Sequence, residues 1–463
     1  MTVWTHELLD ALRQIGDPPL DEVDKTRKRA WRSTAYARPA ADEPKEDPGR
    51  LKVPHEIRLL RTWRRAPNGA RPVTVGKLDP YWSKPTITPL DPRQLEIAHS
   101  LFAAYGGEIG ASLLLASIPN AYAATVGASV LAATGELSSN ARRRIGETAQ
   151  LVVDVLFPDG DRTSALLAKG AFAPIPALPV EGRGFRRVHT TRLTHAVIRE
   201  LLLKSKNVGW KARDPALVPS RPATLRGVPI NQEDLLGTLG TFTVTTFEVM
   251  EKLGVPWNDE AELAYLMLWD RVGELLGIGT EAVWDRLPKG LQVGGYRGPL
   301  RPQSVAEARA LQDLIRERVW PLPLPGRQSG PFANADGKVL VRALLDEMQE
   351  AMPRGLLRLP LVVMRYLVHP TAHELLGLGG GGLPDSVMRW PSVERFIRGP
   401  AHRPGTGLIE RTMRIAATDI SRRAFIHFIR ERAEDRTQAN FVFPGVGSKD
   451  TVISQGRGGI GPA

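Results

Sequence analysis

The sequence contains no cysteine among its 463 residues. This absence excludes disulfide bonds, thiolate nucleophiles, cysteine-ligated zinc, iron–sulfur clusters and covalently attached c-type haem. Histidine is therefore the leading candidate for a metal ligand, and the chain has nine histidines. Cysteine usage gives no indication of the cellular compartment.

Acidic residues are fewer than basic ones, 50 against 62, which gives a formal net charge of +12. A surplus of this sign is found in nucleic-acid-binding proteins. The basic residues, however, are spread along the chain, and the one dense cluster, from Lys25 to Arg32, does not form a recognisable nucleic-acid-binding module. Nucleic acid is therefore not expected as a partner, although a basic binder of nucleic acid or of a membrane surface stays an alternative.

The first residues, MTVWTHELLDALRQIGD, lack the basic start and apolar run that are typical of a secretory signal. We therefore expect a soluble, cytoplasmic protein. Hydrophobic residues make up 42% of the chain, which is enough for a packed core. The composition predicts an irregular N-terminal extension over residues 1–92 with a short helix near 5–15, a helical domain over 93–440, and a flexible Gly-rich tail over 441–463.

No charged residue occurs between Glu108 and Glu136. This stretch is long enough to span a bilayer. It is rich in Ala, Gly and Ser and is divided by Pro119-Asn120, so a buried pair of helices is the preferred prediction. Small residues permit close contact between helices or the close approach of a flat ligand, and contact with a membrane surface stays an alternative.

The remaining apolar residues recur at helical spacing, without an internal repeat. Asp91 before Pro92, and Asn231, are typical N-cap residues. The pattern predicts an all-α protein with helices near 93–105, 138–157, 185–204, 227–254, 258–276, 279–286, 304–318, 338–351, 355–368, 371–377, 392–398 and 406–434.

His195 lies in RRVHTTRLTHAVIRELLLK, residues 186–204, which have helical periodicity. In a helix its side chain shares a face with apolar residues and with Arg192 and Arg199, one turn away on either side. Such a face could ligate a haem iron through the imidazole, cover the porphyrin with apolar groups and pair the arginines with the propionates. The same layout is typical of a structural histidine on a half-buried helix, so spacing alone leaves both interpretations open.

His369 and His373 in HPTAHE are four residues apart, a spacing that can place two metal ligands on one helix face. Pro370 follows His369 at once, which indicates that His369 stands at a helix start. The motif also differs from that of zinc proteases, in which glutamate follows the first histidine. A helix end is therefore favoured over a metal site. GLGGGG, residues 377–382, follows a helix rather than a strand and is interpreted as a flexible turn.

Three stretches of the sequence are informative when they are considered together: RIGETAQLVVDVL (144–156), RLTHAVIRELL (192–202) and GVPINQEDLLGTLGTF (227–242). Together, and in this order, they resemble the rubber oxygenase family. That family includes the latex clearing proteins and the catalytic domain of ER-bound fungal oxygenases that shorten a prenyl chain. The resemblance covers roughly residues 95–435.

The resemblance implies a globin-like helical core around one non-covalent haem b. His195 falls on the family's proximal histidine in the HAxxR motif, which ends here at Arg199. Arg144 and Thr148 match the arginine and threonine of the distal helix. Members use dioxygen to cleave carbon–carbon double bonds of isoprenoid chains into carbonyl products. The expected partners are therefore dioxygen and a hydrophobic small molecule or prenyl chain.

The sequence departs from the latex clearing proteins at three points. Glu147 stands where they carry a lysine before the distal threonine, residues 121–131 lack their upstream acid, and Glu200 replaces a frequent histidine. Rubber itself is therefore not the expected substrate. Glu147 could be an anionic ligand, a proton carrier or the partner of a neighbouring arginine. We predict a haem b oxygenase with Arg144, Glu147 and Thr148 on the distal side, and a non-catalytic haem protein stays an alternative.

Overall fold

The computed structural model describes residues 4–21, 91–133, 145–146, 148–149, 151–156, 183–204, 227–255, 257–296, 298–320, 334–350, 358–379, 441–442 and 452–453. Helices α1 to α14 span His6–Arg13, Pro18–Asp21, Pro92–Ser112, Ile118–Ala123, Thr125–Ala133, Arg183–Lys204, Gln232–Phe242, Val244–Lys252, Asp259–Leu275, Glu281–Trp284, Val305–Val319, Ala335–Glu350, Leu359–Leu367 and Pro370–Leu375. Residues 145–146, 148–149 and 151–156 are also helical and are called segment 145–156 below.

The remaining regular elements are short. A π-helical turn, Leu113–Ser117, joins α3 to α4, and a 3₁₀ turn covers Lys289–Leu291. Two-residue strands, β1 (Phe441–Val442) and β2 (Val452–Ile453), pair antiparallel within the predicted tail. The all-α prediction is thus confirmed for the part of the chain that the structure describes. The helices predicted at 392–398 and 406–434 lie outside the described residues.

Side chains that cap free backbone groups define several helix starts. The Asp91 carboxylate accepts a hydrogen bond from Arg93 N at 2.9 Å, with Pro92 in the first turn of α3. The Asn231 side chain accepts one from Asp234 N at 2.9 Å at the start of α7. Both predicted caps are confirmed. Aspartate and asparagine suit this position because their side chains can satisfy an N–H group that has no partner within the helix.

The helix predicted over 227–254 is divided in two. Gly227 and Ile230 have positive φ angles of 66° and 54°, so α7 begins only at Gln232. Thr243 has φ −107° and ψ −77°, and its hydroxyl donates to Leu239 O at 3.1 Å, which separates α7 from α8. A threonine that bonds back to the preceding turn competes with regular helix geometry.

The uncharged stretch forms buried helices, as predicted. Leu113, Leu114 and Leu115 of the π-helical turn are all buried. The break differs from the prediction, because Pro119 lies in the first turn of α4, where it needs no backbone partner. The chain bends instead at Ala124, whose ψ of 99° is extended.

In the described part of the chain, no single helix is long and apolar enough to cross a membrane. One bent pair, Arg93–Phe102 with Ala104–Ala123 at 75°, could do so by length and composition only.

Helix α1, which lies within the short helix predicted near residues 5–15, contributes to the main core. Leu8, Leu9, Leu12 and Ile15 are buried, and their spacing places them on one helical face. This face packs into the same hydrophobic cluster as α3, α7 and α9. The rest of the predicted extension, residues 22–90, lies outside the described residues.

Helices α3 and α9 form the most extensive helix pair of the fold. Aromatic side chains fill the core beside them: Phe242 stacks on Trp269 at 4.7 Å between ring centroids, and Tyr265 lies 6.3 Å from Trp269. Burial raises the pKa of Tyr265 to about 12, so its hydroxyl is neutral at physiological pH. This packed centre positions the helices that surround the site.

Candidate functional site

Helix α6 carries His195 near its middle. The side chain of His195 is half-buried, and Val188 and Leu202, each seven residues away and therefore almost on the same side of the helix, are buried. His195 thus lies between apolar residues on the inward side of α6. This position satisfies the first requirement for a haem ligand, an imidazole that is presented from a fixed helix into apolar surroundings.

Helix α5 covers α6 one turn beyond His195. Val130 of α5 forms a buried cluster with Ile198 and Leu202, and Val126 and Ile230 pack against it. The uncharged stretch of the sequence therefore supplies an apolar wall next to the His195 helix. A charged side chain in this wall would be desolvated at high cost.

Segment 145–156 is joined to α6 by an ion pair. Arg187 Nε lies 3.1 Å from Asp154 Oδ2, and the Asp154 carboxylate is almost completely buried. Thr148 belongs to this segment and is half-buried. The structure thus brings the predicted distal helix to the predicted proximal helix, while Arg144 and Glu147 lie outside the described residues.

His99 of α3 anchors the far end of segment 145–156. Its ring Nδ1 lies 2.7 Å from Leu156 O, which only accepts, so Nδ1 carries the proton. Burial lowers the pKa of His99, and the bond to Leu156 O opposes this effect only in part. The imidazole is therefore held neutral.

A pH-dependent loss of stability follows from His99. Below about pH 6.5, its ordinary value, the unfolded chain binds a proton at this residue that the folded chain does not bind, so the free energy of unfolding falls as the pH drops. Urea unfolding at pH 7.5 and pH 5.5 measures this loss. His99→Asn keeps a donor for Leu156 O but cannot titrate, and it should lose less stability over this range than the wild type. An equal loss in both proteins would contradict the assignment.

Arg192 and Arg199, predicted to pair with haem propionates, have protein partners in the structure. Arg192 makes two bonds to Asp17, from Nε to Oδ2 at 2.6 Å and from Nη2 to Oδ1 at 2.7 Å. Arg199 donates to Asp21 Oδ1 at 2.7 Å and to the carbonyls of Pro229 and Ile230 at 3.0 and 2.8 Å. The propionate role stays a prediction, and both guanidinium groups have a structural role that the sequence did not indicate.

The His369 side chain caps a helix, in agreement with the interpretation of Pro370. Its Nδ1 accepts a hydrogen bond from Thr371 N at 3.3 Å, and the backbone N–H of His369 donates to Asn120 Oδ1 at 3.2 Å. The ring lies 5.0 Å from that of Trp320. Throughout the described ranges, no group of three or more His, Cys, Asp or Glu residues could hold a metal ion.

A cleft of about 560 Å³ opens between α8, α9 and α11. None of its lining residues belongs to α6 or to segment 145–156. Arg309 spans it, donating to Glu251 at 2.7 Å and to Glu262 at 3.0 Å, and lies 5.6 Å from the centre of the Phe247 ring. The cleft is therefore bridged by partly exposed ion pairs and is separate from the His195 region.

Fold and sequence together define the class: an all-α protein whose central helix carries a HAxxR histidine. The family model described as "ER-bound oxygenase mpaB/B'/Rubber oxygenase, catalytic domain" matches residues 96–399, which is 304 of the 463 residues. The chain belongs to this oxygenase family. The match includes α6, segment 145–156 and α5, and it begins after α1 and α2.

A solved structure has the same fold. The structure of Latex Clearing Protein LCP in the closed state matches with a TM-score of 0.55 and 19% sequence identity, over 89% of this chain and 91% of that chain. At this identity the likeness concerns the fold alone. A search among curated proteins finds no match.

Proposed function

We propose that this protein is a haem b-dependent oxygenase that uses dioxygen to cleave a double bond of an apolar, isoprenoid-like substrate. The observation that carries the proposal is the position of His195, half-buried on α6 where α5 and segment 145–156 meet that helix. Membership of the oxygenase family supports the reaction class. The apolar face of α5 supports an apolar substrate.

The donor set of the site fits a haem better than a bare metal ion. A chelated ion needs three or four protein ligands, and the described residues offer no such group. A haem brings four nitrogen ligands of its own and needs one axial imidazole from the protein. We propose His195 as that ligand, and the bound haem would supply the redox chemistry with dioxygen.

The protein's own residues would then bind, orient and exclude water. Val126 and Val130 keep the region beside His195 apolar. The Thr148 hydroxyl would donate a hydrogen bond to a polar atom of the reactants on the opposite side. Arg144 and Glu147 are proposed for the same side by family resemblance, as a cation that orients the reactants and as a proton carrier.

Cleavage of an alkene by dioxygen needs no external reductant. The carbon–carbon double bond and the oxygen–oxygen bond break, and two carbon–oxygen double bonds form, so that two carbonyl products contain all the atoms. The protein must therefore admit an apolar chain and dioxygen but needs no site for an electron donor.

Thr148→Ala should reduce product formation by about 100-fold, which is the usual effect of removing a single hydrogen-bond donor to developing charge. The measurement is carbonyl formation and oxygen uptake by the haem-loaded protein with a polyprenyl substrate. Thr238→Ala, on the exposed side of α7, is the matched control and should leave the rate unchanged. Wild-type activity in Thr148→Ala at full haem content would contradict the assigned role.

A non-catalytic haem protein is the second candidate, because Glu147 replaces the lysine of the latex clearing proteins. The same oxygen-uptake experiment separates the two candidates. A wild-type protein with full haem content that consumes no oxygen with polyprenyl substrates would favour the non-catalytic haem protein. Oxygen uptake with matching carbonyl products would favour the oxygenase.

A further inference from the structure

The short segment after α1 crosses helix α6 beside His195. Asp17 receives two bonds from Arg192, and Asp21, the last residue of α2, receives one from Arg199. Asp17 N also donates to Asp21 Oδ2 at 2.9 Å, which joins the two acids. Residues 16–21 therefore form one unit, called the clasp below, that is bound to α6 at two points.

The two points bracket His195. Arg192 lies three residues before it and Arg199 four residues after it, which are separations of about 4.5 and 6 Å along the helix axis. Two attachments on a rigid helix fix both its axial position and its rotation. The helix cannot slide or turn at His195 without breaking a charge-assisted hydrogen bond.

The protein leaves room for both guanidinium groups. A β-carbon at Gly16 would overlap Asp21 Oδ2 and the Arg199 side chain, so only glycine fits there. Gly277 has a φ of 80°, and a β-carbon there would lie 2.6 Å from Arg192 Nη2. Both contacts thus require glycine on the opposite element.

Hydrogen bonds from the Gln232 side chain connect the clasp to the rest of the fold. Its buried side-chain amide donates to Gly16 O at 2.5 Å and to Gly277 O at 3.2 Å, and its Oε1 accepts from Gly279 N at 2.9 Å. The side chain thereby links the clasp to the turn after α9. The clasp is built into the fold rather than laid on its surface.

Each of the two ion pairs has one member that is almost completely buried. Arg199 is only 2% exposed and Asp17 only 3%. A buried charge that loses its partner is strongly destabilised, because no water replaces the lost bonds. Removing either carboxylate should therefore drive the arginine toward solvent and move α6 with it.

We propose that Asp17 and Asp21 are positioning residues that hold α6 so that the His195 imidazole is correctly presented to the haem. The proposal rests on the proposed haem function. It assigns a role to residues before the region matched by the family model, which begins at residue 96. Arg192 and Arg199 then act on His195 through helix position, with the clasp as their partner in place of propionates.

The test compares the double variant Asp17→Asn, Asp21→Asn with Asp10→Asn in the full chain. Asp10 lies in the same N-terminal region but pairs with Arg318, away from α6, and so controls for general weakening. Three quantities are measured: amide hydrogen exchange of α6, the rate of haem transfer to apomyoglobin, and the iron–histidine stretching band of the reduced protein. Asp21→Asn alone, at a partly exposed carboxylate, serves if the double variant does not fold.

The double variant should exchange the α6 amides faster, lose haem about 10- to 100-fold faster, and show a shifted or broadened iron–histidine band, as expected when the support of a metal ligand is removed. Asp10→Asn should match the wild type, and Asp17→Glu should restore part of the haem retention because it keeps the charge.

Unchanged amide hydrogen exchange of α6 in the double variant would show that the clasp does not hold this helix. Faster exchange with wild-type haem loss and an unchanged band would overturn the positioning role and leave only a structural one. A wild-type chain that takes up no haem at all would defeat the proposed function and the positioning role together, while the exchange measurement would still decide whether the clasp holds α6.

Discussion

Replacing Glu233 by glutamine should lower the free energy of unfolding by about 3–5 kcal/mol, the usual cost of removing one partner of a buried ion pair. Glu233 is completely buried, and its carboxylate accepts hydrogen bonds from Arg13 Nε at 2.5 Å and from Arg318 Nε at 2.7 Å. Burial would lower the pKa of Arg13, but Asp234 and Glu233 raise it overall. Glutamine keeps the volume and removes the charge, so two buried guanidinium groups would face a neutral amide.

Urea unfolding at neutral pH measures this loss, with Asp313→Asn as the matched control. Asp313 pairs with Arg316 at 3.3 Å but is largely exposed, so its variant should change little. The slope of the transition should stay the same in all three proteins, because the same surface is exposed on unfolding. A stability of Glu233→Gln within about 0.5 kcal/mol of the wild type would contradict the network, since that is the ordinary effect of a surface substitution.

The sequence predicted helices best where a local signal marks their start. Asp91 and Asn231 were predicted as caps because a side chain can satisfy a backbone N–H three residues away or nearer, and both are confirmed. The interruptions at Thr243 and Ala124 were not predicted. At Thr243 the hydroxyl bonds back to Leu239 O, and the residue type alone does not indicate whether a threonine will do this or stay in a regular helix.

Long-range ion pairs explain what was missed in the site. Arg192 was assigned to a propionate because it lies one turn from His195, yet its partner in the structure, Asp17, is 175 residues away in sequence. The short span from Gly16 to Asp21 carries no recognisable motif for such a partner. The packing of α1 could not be predicted for a related reason, because eight residues show an apolar face but not what it packs against.

His195 itself was selected by family resemblance, since spacing alone left a structural histidine as an open interpretation. The structure adds its half-buried position and the two neighbouring elements, α5 and segment 145–156. The distal residues Arg144 and Glu147 stay predictions from the resemblance. Contacts in the structure therefore support the proximal side of the site, whereas the distal side rests on sequence resemblance.

His195→Ala should abolish stable haem binding. Loss of an outer residue that supports a metal ligand typically costs 10- to 100-fold in affinity, so loss of the proximal ligand itself should accelerate haem dissociation by more than about 100-fold. The fold should persist, because alanine leaves the helical pattern of α6 and its attachments through Arg192 and Arg199 intact. Added imidazole should occupy the vacated space and restore the absorption band.

The most direct measurement is the haem content per chain, determined by the pyridine haemochrome spectrum of protein purified from haem-supplied cells. We expect about one haem b per chain in the wild type and in His369→Ala, whose histidine caps α14, and almost none in His195→Ala until imidazole is added. A wild-type protein without haem, or a His195→Ala variant with the wild-type haem content, would rule out His195 as the haem ligand.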